Sequence, residues 1–254
     1  MIKNISVVLI VSNAEKTLSI CLESLASFQE VIIYENNSTD NTKKIALSYQ
    51  NVKLYSGEFL GFGPTKNLAL SYATNDWILS LDSDEVLSNE FLKELTKTNL
   101  NKKYVYTILR TNYYKNQEIK HCWGNDTIVR LFNRTTTKFT EKKVHEHIIT
   151  DRLDIKHLSG NIKHYPYTTI SDFIIKLDKY STIYAQDNVG KKNSSPLKAF
   201  INGNFSFFKT YFIKQGFLDG YAGLVIAFSH MATNFYKYIK LYELNKELNK
   251  NNPS

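Results

Sequence analysis

An α/β fold with a mostly parallel sheet flanked by helices and a C-terminal helical extension is predicted by three features of the 254-residue chain. Short β-branched runs alternate with helix-period segments through the first hundred residues, with connections long enough for parallel crossovers. Acidic turns follow the second and fourth of those runs. After residue 170 the strand-like runs stop and aromatic residues recur at helical spacing.

The elements follow in order. Ile5 to Val11 is a continuous apolar run, as expected of a strand buried on both faces. Ser12 or Asn13 can cap the next helix, in which Leu18, Leu22 and Leu25 share a face. Val31 to Tyr34 forms a second strand and runs into Glu35-Asn36-Asn37-Ser38-Thr39-Asp40, a turn opening a helix through Ala46 and Leu47. Asp40 reads as a helix-start acid. Val52 to Tyr55 is a third strand. Gly61, Gly63 and Pro64 then lead into a helix through Leu68, Leu70 and Tyr72. Trp77 to Leu81 is a fourth strand and ends at Asp82-Ser83-Asp84-Glu85. Ligands of such sheets bind outside the C-terminal strand edges, where both acidic turns fall.

Charge divides unevenly. The formal net charge is +8, yet residues 1–100 carry 8 basic and 12 acidic side chains, against 24 and 12 in the remainder. The basic part can face an anionic partner or simply coat the surface. Only 4 of the 32 basic residues are arginine, which argues against nucleic acid as that partner. Two cysteines, Cys21 and Cys122, supply neither a disulfide scaffold nor a four-cysteine zinc site. The N-terminus lacks the pattern of a secretory signal, which predicts a cytoplasmic location. No GxGxxG follows the first strand and no GxxxxGK[ST] occurs, which argues against dinucleotide-binding and P-loop readings.

Asp82 and Asp84 stand two apart at a strand end, where alternate side chains face the same way. Two convergent carboxylates call for a cation between them, and Mg²⁺ or Mn²⁺ suits the oxygen donors. The alternative is a solvated turn whose acids cap the helix signalled by Ser88 and Glu90.

Four segments together resemble the family 2 glycosyltransferases: SVVLIVSNAEKTLSICLESL (6–25), VIIYENNSTDNT (31–42), GFGPTKNLAL (61–70) and WILSLDSDE (77–85). The resemblance implies an inverting enzyme with the GT-A fold, using a nucleotide sugar. Within that family the chain is similar to the small bacterial enzymes of lipopolysaccharide or lipooligosaccharide inner-core assembly, which typically add glucose to a heptose. By position, Glu35 would accept from the uracil or ribose of a UDP-linked donor, and main-chain groups near Ser12 would frame the base. Asp82 would contact ribose and a metal-bound water, and Asp84 would hold the metal. Glu35-Asn36 replaces the common aspartate pair, so the second charge is missing. Lys66 lies where the family tends to place a basic residue near the diphosphate, or else is a first-turn lysine on a solvated face.

Tyr104 to Arg110 and Ile128 to Phe132 are further strand candidates. The segment between them reads as a loop or hairpin bordering an acceptor pocket, with Trp123 offering a face to a sugar ring or filling a core. Lys143-Val144-His145-Glu146-His147 lacks the i, i+4 histidines of a helical zinc motif. If extended, it places His145 and His147 on one face and Glu146 on the other. Inverting transfer needs one general base and no covalent nucleophile; the resemblance, extending through RLFNR (130–134) and VHE (144–146), assigns that base to Glu146. A surface acid paired with Lys142 or Lys143 is the alternative. His145 can meet acceptor or phosphate. His164 can approach the diphosphate or metal, or rest on a backbone carbonyl. Arg130, inside a strand-like run, requires a carboxylate partner such as Glu146 or Asp126.

Residues 1–168 therefore read as a catalytic domain and 169–254 as a helical extension. In the latter, Phe173, Leu177, Tyr180 and Tyr184 share a face, a polar break spans 190–196, and two further aromatic-rich helices follow before a fraying tail. Gly220 to Tyr236 is too short and too polar for a membrane crossing. Lysines among aromatics suit a helix lying in the plane of anionic lipid, and peripheral attachment to the inner face of the bacterial inner membrane matches the lipid-anchored glycan acceptor that the resemblance implies. A helical cap or a homo-oligomer interface stays open. A sugar-nucleotide-forming nucleotidyltransferase is the rival enzyme, but VSNAEKT lacks its glycine-rich basic loop. A basic RNA-binding protein is the other rival, but the chain shows no aromatic RNP strand or KH loop.

Overall fold

The computed structural model describes residues 1–251 and divides into two compact units, Met1–Thr111 with Asn125–Tyr165, and Asn112–Gly124 with Pro166 onward. In the first, the expected alternation appears as β1 (Ile2–Val11), α1 (Leu18–Ser24), β2 (Phe28–Glu35), α2 (Thr42–Leu47), β3 (Val52–Ser56), α3 (Phe62–Ser71) and β4 (Trp77–Leu81). β5 (Glu85–Leu87) and α4 (Asn89–Lys97) follow, the latter capped by Ser88, whose hydroxyl accepts from the Phe91 amide. β6 (Tyr104–Tyr114), β7 (Gln117–Glu118), β8 (Asp126–Asn133) and β9 (Asp154–Tyr167) complete the strands.

The sheet order is β3-β2-β1-β4-β8-β6-β9-β5, with β7 beside β6. β3, β2, β1 and β4 pair in parallel, and β8 joins β4 antiparallel with Leu79 opposite Leu131. β1 occupies the middle of the parallel part because it can be buried on both faces. Val7, Leu9 and Val11 enter one core layer with Leu18, Leu22 and Val31; Val8 enters the other with Ile32, Ile78 and Phe132. Glu30 is a buried exception. Burial alone would raise its carboxyl, but Lys53, Ser6 and Thr74 bond it and bring it down to about 2.

β5, β7 and β9 are the strands that apolar pattern did not signal; along the 14 residues of β9 only Leu158 and Ile162 are buried.

The second unit holds α5 (Ile170–Asn188), α6 (Pro196–Phe208), a π-helical turn (Lys209–Ile213), a 3-10 turn (Gly216–Asp219) and α7 (Gly220–Asn251). Its core joins Tyr114, Ile119, Cys122, Phe173, Ala222 and Ile226. Asp219, 2% exposed, binds the amides of Lys120, His121 and Cys122 and so ties the hairpin segment to the turn before α7. Two expectations change here. The inward row of α5 is Phe173, Ser181 and Ala185, leaving Tyr180 exposed, because a four-residue repeat follows the packed face. The tail stays helical to Asn251, since Asn245 accepts from the Gly190 amide and donates to the Lys192 carbonyl; the end of the fraying segment, 252–254, lies outside the described residues.

Candidate active site

The turn after β4 is closed by its own backbone and side chains. The Glu85 amide donates to the Asp82 carbonyl at 3.0 Å, and the Asp82 amide donates to Glu85 Oε2 at 3.1 Å. Glu85 is sealed while the Asp82 side chain remains 37% exposed, so the turn aims one acid inward and the other outward.

Arg130 reaches this turn from β8, the neighbour of β4. Its Nη2 lies 2.6 Å from Asp82 Oδ2 and also donates to Glu85. Both partners anticipated for Arg130 are therefore corrected. Asp126 stands opposite Arg110 in the β6–β8 ladder and takes that guanidinium at 2.7 and 3.0 Å, while Glu146 is bound by Lys66. Arg110 also reaches Glu85 at 3.3 Å, so two guanidiniums meet this buried carboxylate.

Lys66, on α3, is not on a solvated face: its side chain is 8% exposed and lies over the Phe139 ring. The ammonium stands 2.9 Å from Glu146 Oε1 and 3.3 Å from Asp82 Oδ1, linking the two acids. Burial would raise the Asp82 carboxyl, but the charges of Arg130 and then Lys66 overcome it and hold the group well below the ordinary carboxylate range.

Glycine explains how Glu146 gets there. The Phe62 and Gly63 amides at the start of α3 donate to the Lys143 and Lys142 carbonyls, each at 3.0 Å. A Cβ on Gly63 would lie 2.0 Å from the Thr140 carbonyl oxygen, and Gly61 has φ 103° against the Lys143 backbone. Asn67 adds a two-way clasp on the Phe139 backbone at 3.0 Å in each direction. The loop is thus pinned along α3, with Phe139 bridged to Ile148. Within it the chain bends rather than running extended. His145 takes φ 59° and, like His147, is exposed, whereas Glu146 turns to Lys66.

Lys66, Asp82, Arg130 and Glu146 line one cavity of about 460 Å³, together with Arg110, His147 and the apolar Ile128, Ile148 and Ile155. Asp84 forms a second pair: its Oδ2 lies 3.5 Å from His164 Nε2, because β9 pairs with β5 in a register that sets His164 opposite Glu85. Among the described residues no three His, Cys, Asp or Glu side chains converge as a metal centre.

The other acidic turn is built differently. Glu35, the last residue of β2, is fully buried and accepts from the Ser38 amide, from Ser56 Oγ at 3.2 Å and from Lys43 at 3.1 Å. Ser12 is exposed at the end of β1, and its neighbour Asn13 binds Ser38 and Thr39, lacing the two loops together. Asp40 accepts from the Thr42 amide at the start of α2, as its helix-start reading expects. Trp123 belongs to the second unit, stacked on Tyr167 with its Nε1 donating to His230.

Sequence reasoning gave no role to Glu85, Arg110 or Phe139. The first was visible as the third acid of the turn, and the second as the charged end of a strand run. Phe139 carried no signal.

The Glycosyl transferase family 2 model matches residues 6–155, which hold all five charged cavity-lining residues named above. An uncharacterized glycosyltransferase of Rickettsia typhi is 29% identical over 95% of this chain and 88% of its own. A lipopolysaccharide core biosynthesis glycosyltransferase, LpsC, of Rhizobium meliloti is 24% identical over 94% and 92%. The solved structure of S. aureus TarS residues 1–349 in complex with UDP is 17% identical, covering 98% of this chain and 92% of that one with a TM-score of 0.46. With the family model spanning more than half of its length, and the parallel β3-β2-β1-β4 half-sheet carrying acids at its C-terminal edge, the chain belongs to glycosyl transferase family 2 and has a GT-A-type α/β fold.

Proposed function

We propose that the protein is an inverting, metal-dependent glycosyltransferase that moves a hexose, best matched by glucose from UDP-glucose, onto a heptose of a lipid-anchored lipopolysaccharide or lipooligosaccharide core. The observation that carries the reaction type is the Glu146–Lys66–Asp82 chain: a cavity carboxylate joined through a buried ammonium to the acid after β4, which opens on the same cavity. The core acceptor is supported by the relation to LpsC along nearly the whole chain.

Asp84, beside His164, would hold a Mg²⁺ or Mn²⁺ ion through its carboxylate, the oxygen donor such cations take, with substrate phosphates completing the coordination. When bound, that ion would neutralise charge on the departing nucleoside diphosphate. Asp82, held ionised by Arg130 and Lys66, would accept from the ribose and stand beside the metal position at Asp84. Ser12 and the turn braced by Glu35 frame the nucleoside. Lys66 lies ready to follow the diphosphate charge, which would release Glu146 to take the acceptor hydroxyl proton. The acceptor oxygen then bonds to the anomeric carbon as the bond to the phosphate oxygen breaks, with inversion. His145 is the remaining candidate for acceptor contact. The enzyme would work at the inner face of the inner membrane, where its acceptor is anchored.

Calorimetric titration with UDP-sugars, with Mn²⁺ and then with EDTA, tests this reading. Asp84→Ala should abolish metal-dependent donor binding. Glu146→Gln should keep donor binding and lower transfer about 10²- to 10⁴-fold. Full transfer by the second variant would remove Glu146 as the base, and release of pyrophosphate rather than nucleoside diphosphate would sink the reaction class.

A further inference from the structure

Helix α6 is built inside out. Its packed side carries Ala199 and Gly203, then Ser206 and, in the π turn, Thr210, which bond Asn234 and His230 of α7 at 2.8 and 3.0 Å. Its outer side carries Phe200, Ile201, Phe205 and Phe208, continued by Phe212 and Ile213; all six are 50–61% exposed. A helix at a water-facing surface places its large apolar side chains on the packed side and its polar ones outside. A continuous apolar face of this size on a monomer marks an interaction surface.

Charge identifies the occupant. From Val189 to Tyr236 the chain has five basic residues, Lys191, Lys192, Lys198, Lys209 and Lys214, and all are exposed. The single acid in that stretch, Asp219, is buried and bound to three backbone amides. An isologous dimer on this face would bring like charges together, whereas an anionic bilayer supplies the opposite charge and an apolar layer beneath it. No helix among the described residues is long and apolar enough to cross a membrane. The 13 residues of α6 extend about 20 Å, the dimension of a helix lying in the interface.

We infer that the outer face of α6 and the following π turn insert into the headgroup boundary of an anionic phospholipid bilayer, with the phenylalanines in the acyl layer and Lys198, Lys209 and Lys214 among the phosphates. This surface rests on the reading of the acceptor as lipid-anchored, and would hold the enzyme where that substrate lies. Donor chemistry does not depend on it.

Flotation of the full chain with phosphatidylglycerol–phosphatidylethanolamine vesicles, and with pure phosphatidylcholine vesicles, tests it. Binding is expected to the anionic vesicles, weakening with salt. It should fall about tenfold or more in a Phe205→Ser, Phe208→Ser, Phe212→Ser variant and several-fold in Lys209→Glu, Lys214→Glu. UDP-sugar titration of the triple variant should match the wild type, which both verifies folding and separates failure of this surface from failure of the donor reading. A Phe208→Trp protein, needing no destabilising change, should be quenched by brominated acyl chains. Absence of binding to anionic vesicles, or an unquenched Phe208→Trp emission, overturns the inference. So does a lipid-free dimer by sedimentation velocity that the triple variant abolishes, because the face would then belong to a second copy.

Discussion

Glu35 and Asp82 occupy equivalent places, at the C-terminal ends of the two strands that flank β1, yet their surroundings differ. Glu35 is sealed, and its oxygens are taken by Ser38 of the following turn, Lys43 of α2 and Ser56 at the end of β3. Asp82 opens on a cavity and meets cations brought from α3 and β8. The first acid spends its hydrogen-bonding capacity on shaping a loop, whereas the second keeps its charge exposed to a cavity. Strand-end position alone therefore does not identify a binding residue; whether the carboxylate is sealed by its partners or left open on a cavity separates the two.

Removing a distant partner should have the largest effect. Arg130→Met leaves Glu85 buried with only the more distant Arg110, so a loss of about 3–5 kcal/mol in stability is expected by denaturant unfolding. Breaking the comparison would need Arg130→Met to be as stable as wild type, because the cations around Asp82 would then be incidental surface charge. A second substitution, Glu85→Gln in the Arg130→Met background, should recover part of the loss by removing the stranded charge.

The next effect falls on catalysis. Gly63→Ala places a methyl where the Thr140 carbonyl now lies, so the loop must move off α3 and carry Glu146 from Lys66. Misplacing a catalytic group by about 1 Å can lower turnover about 10²-fold. Transfer should fall by that order while UDP-sugar affinity changes little, since Asp82 and Asp84 sit on a separate turn. An unchanged transfer rate would show that Glu146 need not be held against Lys66.

Much of this was legible in the residues. The run Trp77 to Leu81 signals β4 at its observed bounds, and the acids after it mark the edge where the cavity opens. The pairing of Arg130 was legible as a requirement but not as a choice. Its partner depends on β8 lying beside β4 and Arg110 lying across from Asp126, and strand order is a property of the whole sheet. β9 escaped notice because a strand with two buried side chains leaves no alternating pattern, yet it delivers His164 to Asp84. Helix α6 was legible as a helix, but which of its faces would pack depended on Gly203 admitting the α7 backbone at Met231.

Glu35→Gln sharpens the comparison with the smallest expected effect. Burial raises the Glu35 carboxyl, but the Ser38 amide and hydroxyl, Lys43 and Ser56 more than reverse this, and the group titrates below its ordinary value of 4.5. A lowered folded-state pKa contributes stability that is complete above the unfolded value and is lost as the pH falls through the folded one. Glutamine keeps the shape but not the charge, so Glu35→Gln should be about 1–3 kcal/mol less stable at pH 7. Measured by urea unfolding, that gap should narrow as the pH falls below 4.5, because the wild type then loses the charge that the variant never had. UDP-sugar affinity of the folded variant should stay within about threefold of wild type, well under 1 kcal/mol. A variant of unchanged stability that lost donor affinity tenfold or more would make Glu35 a direct nucleoside ligand. The two strand ends would then be alike in function despite their different burial.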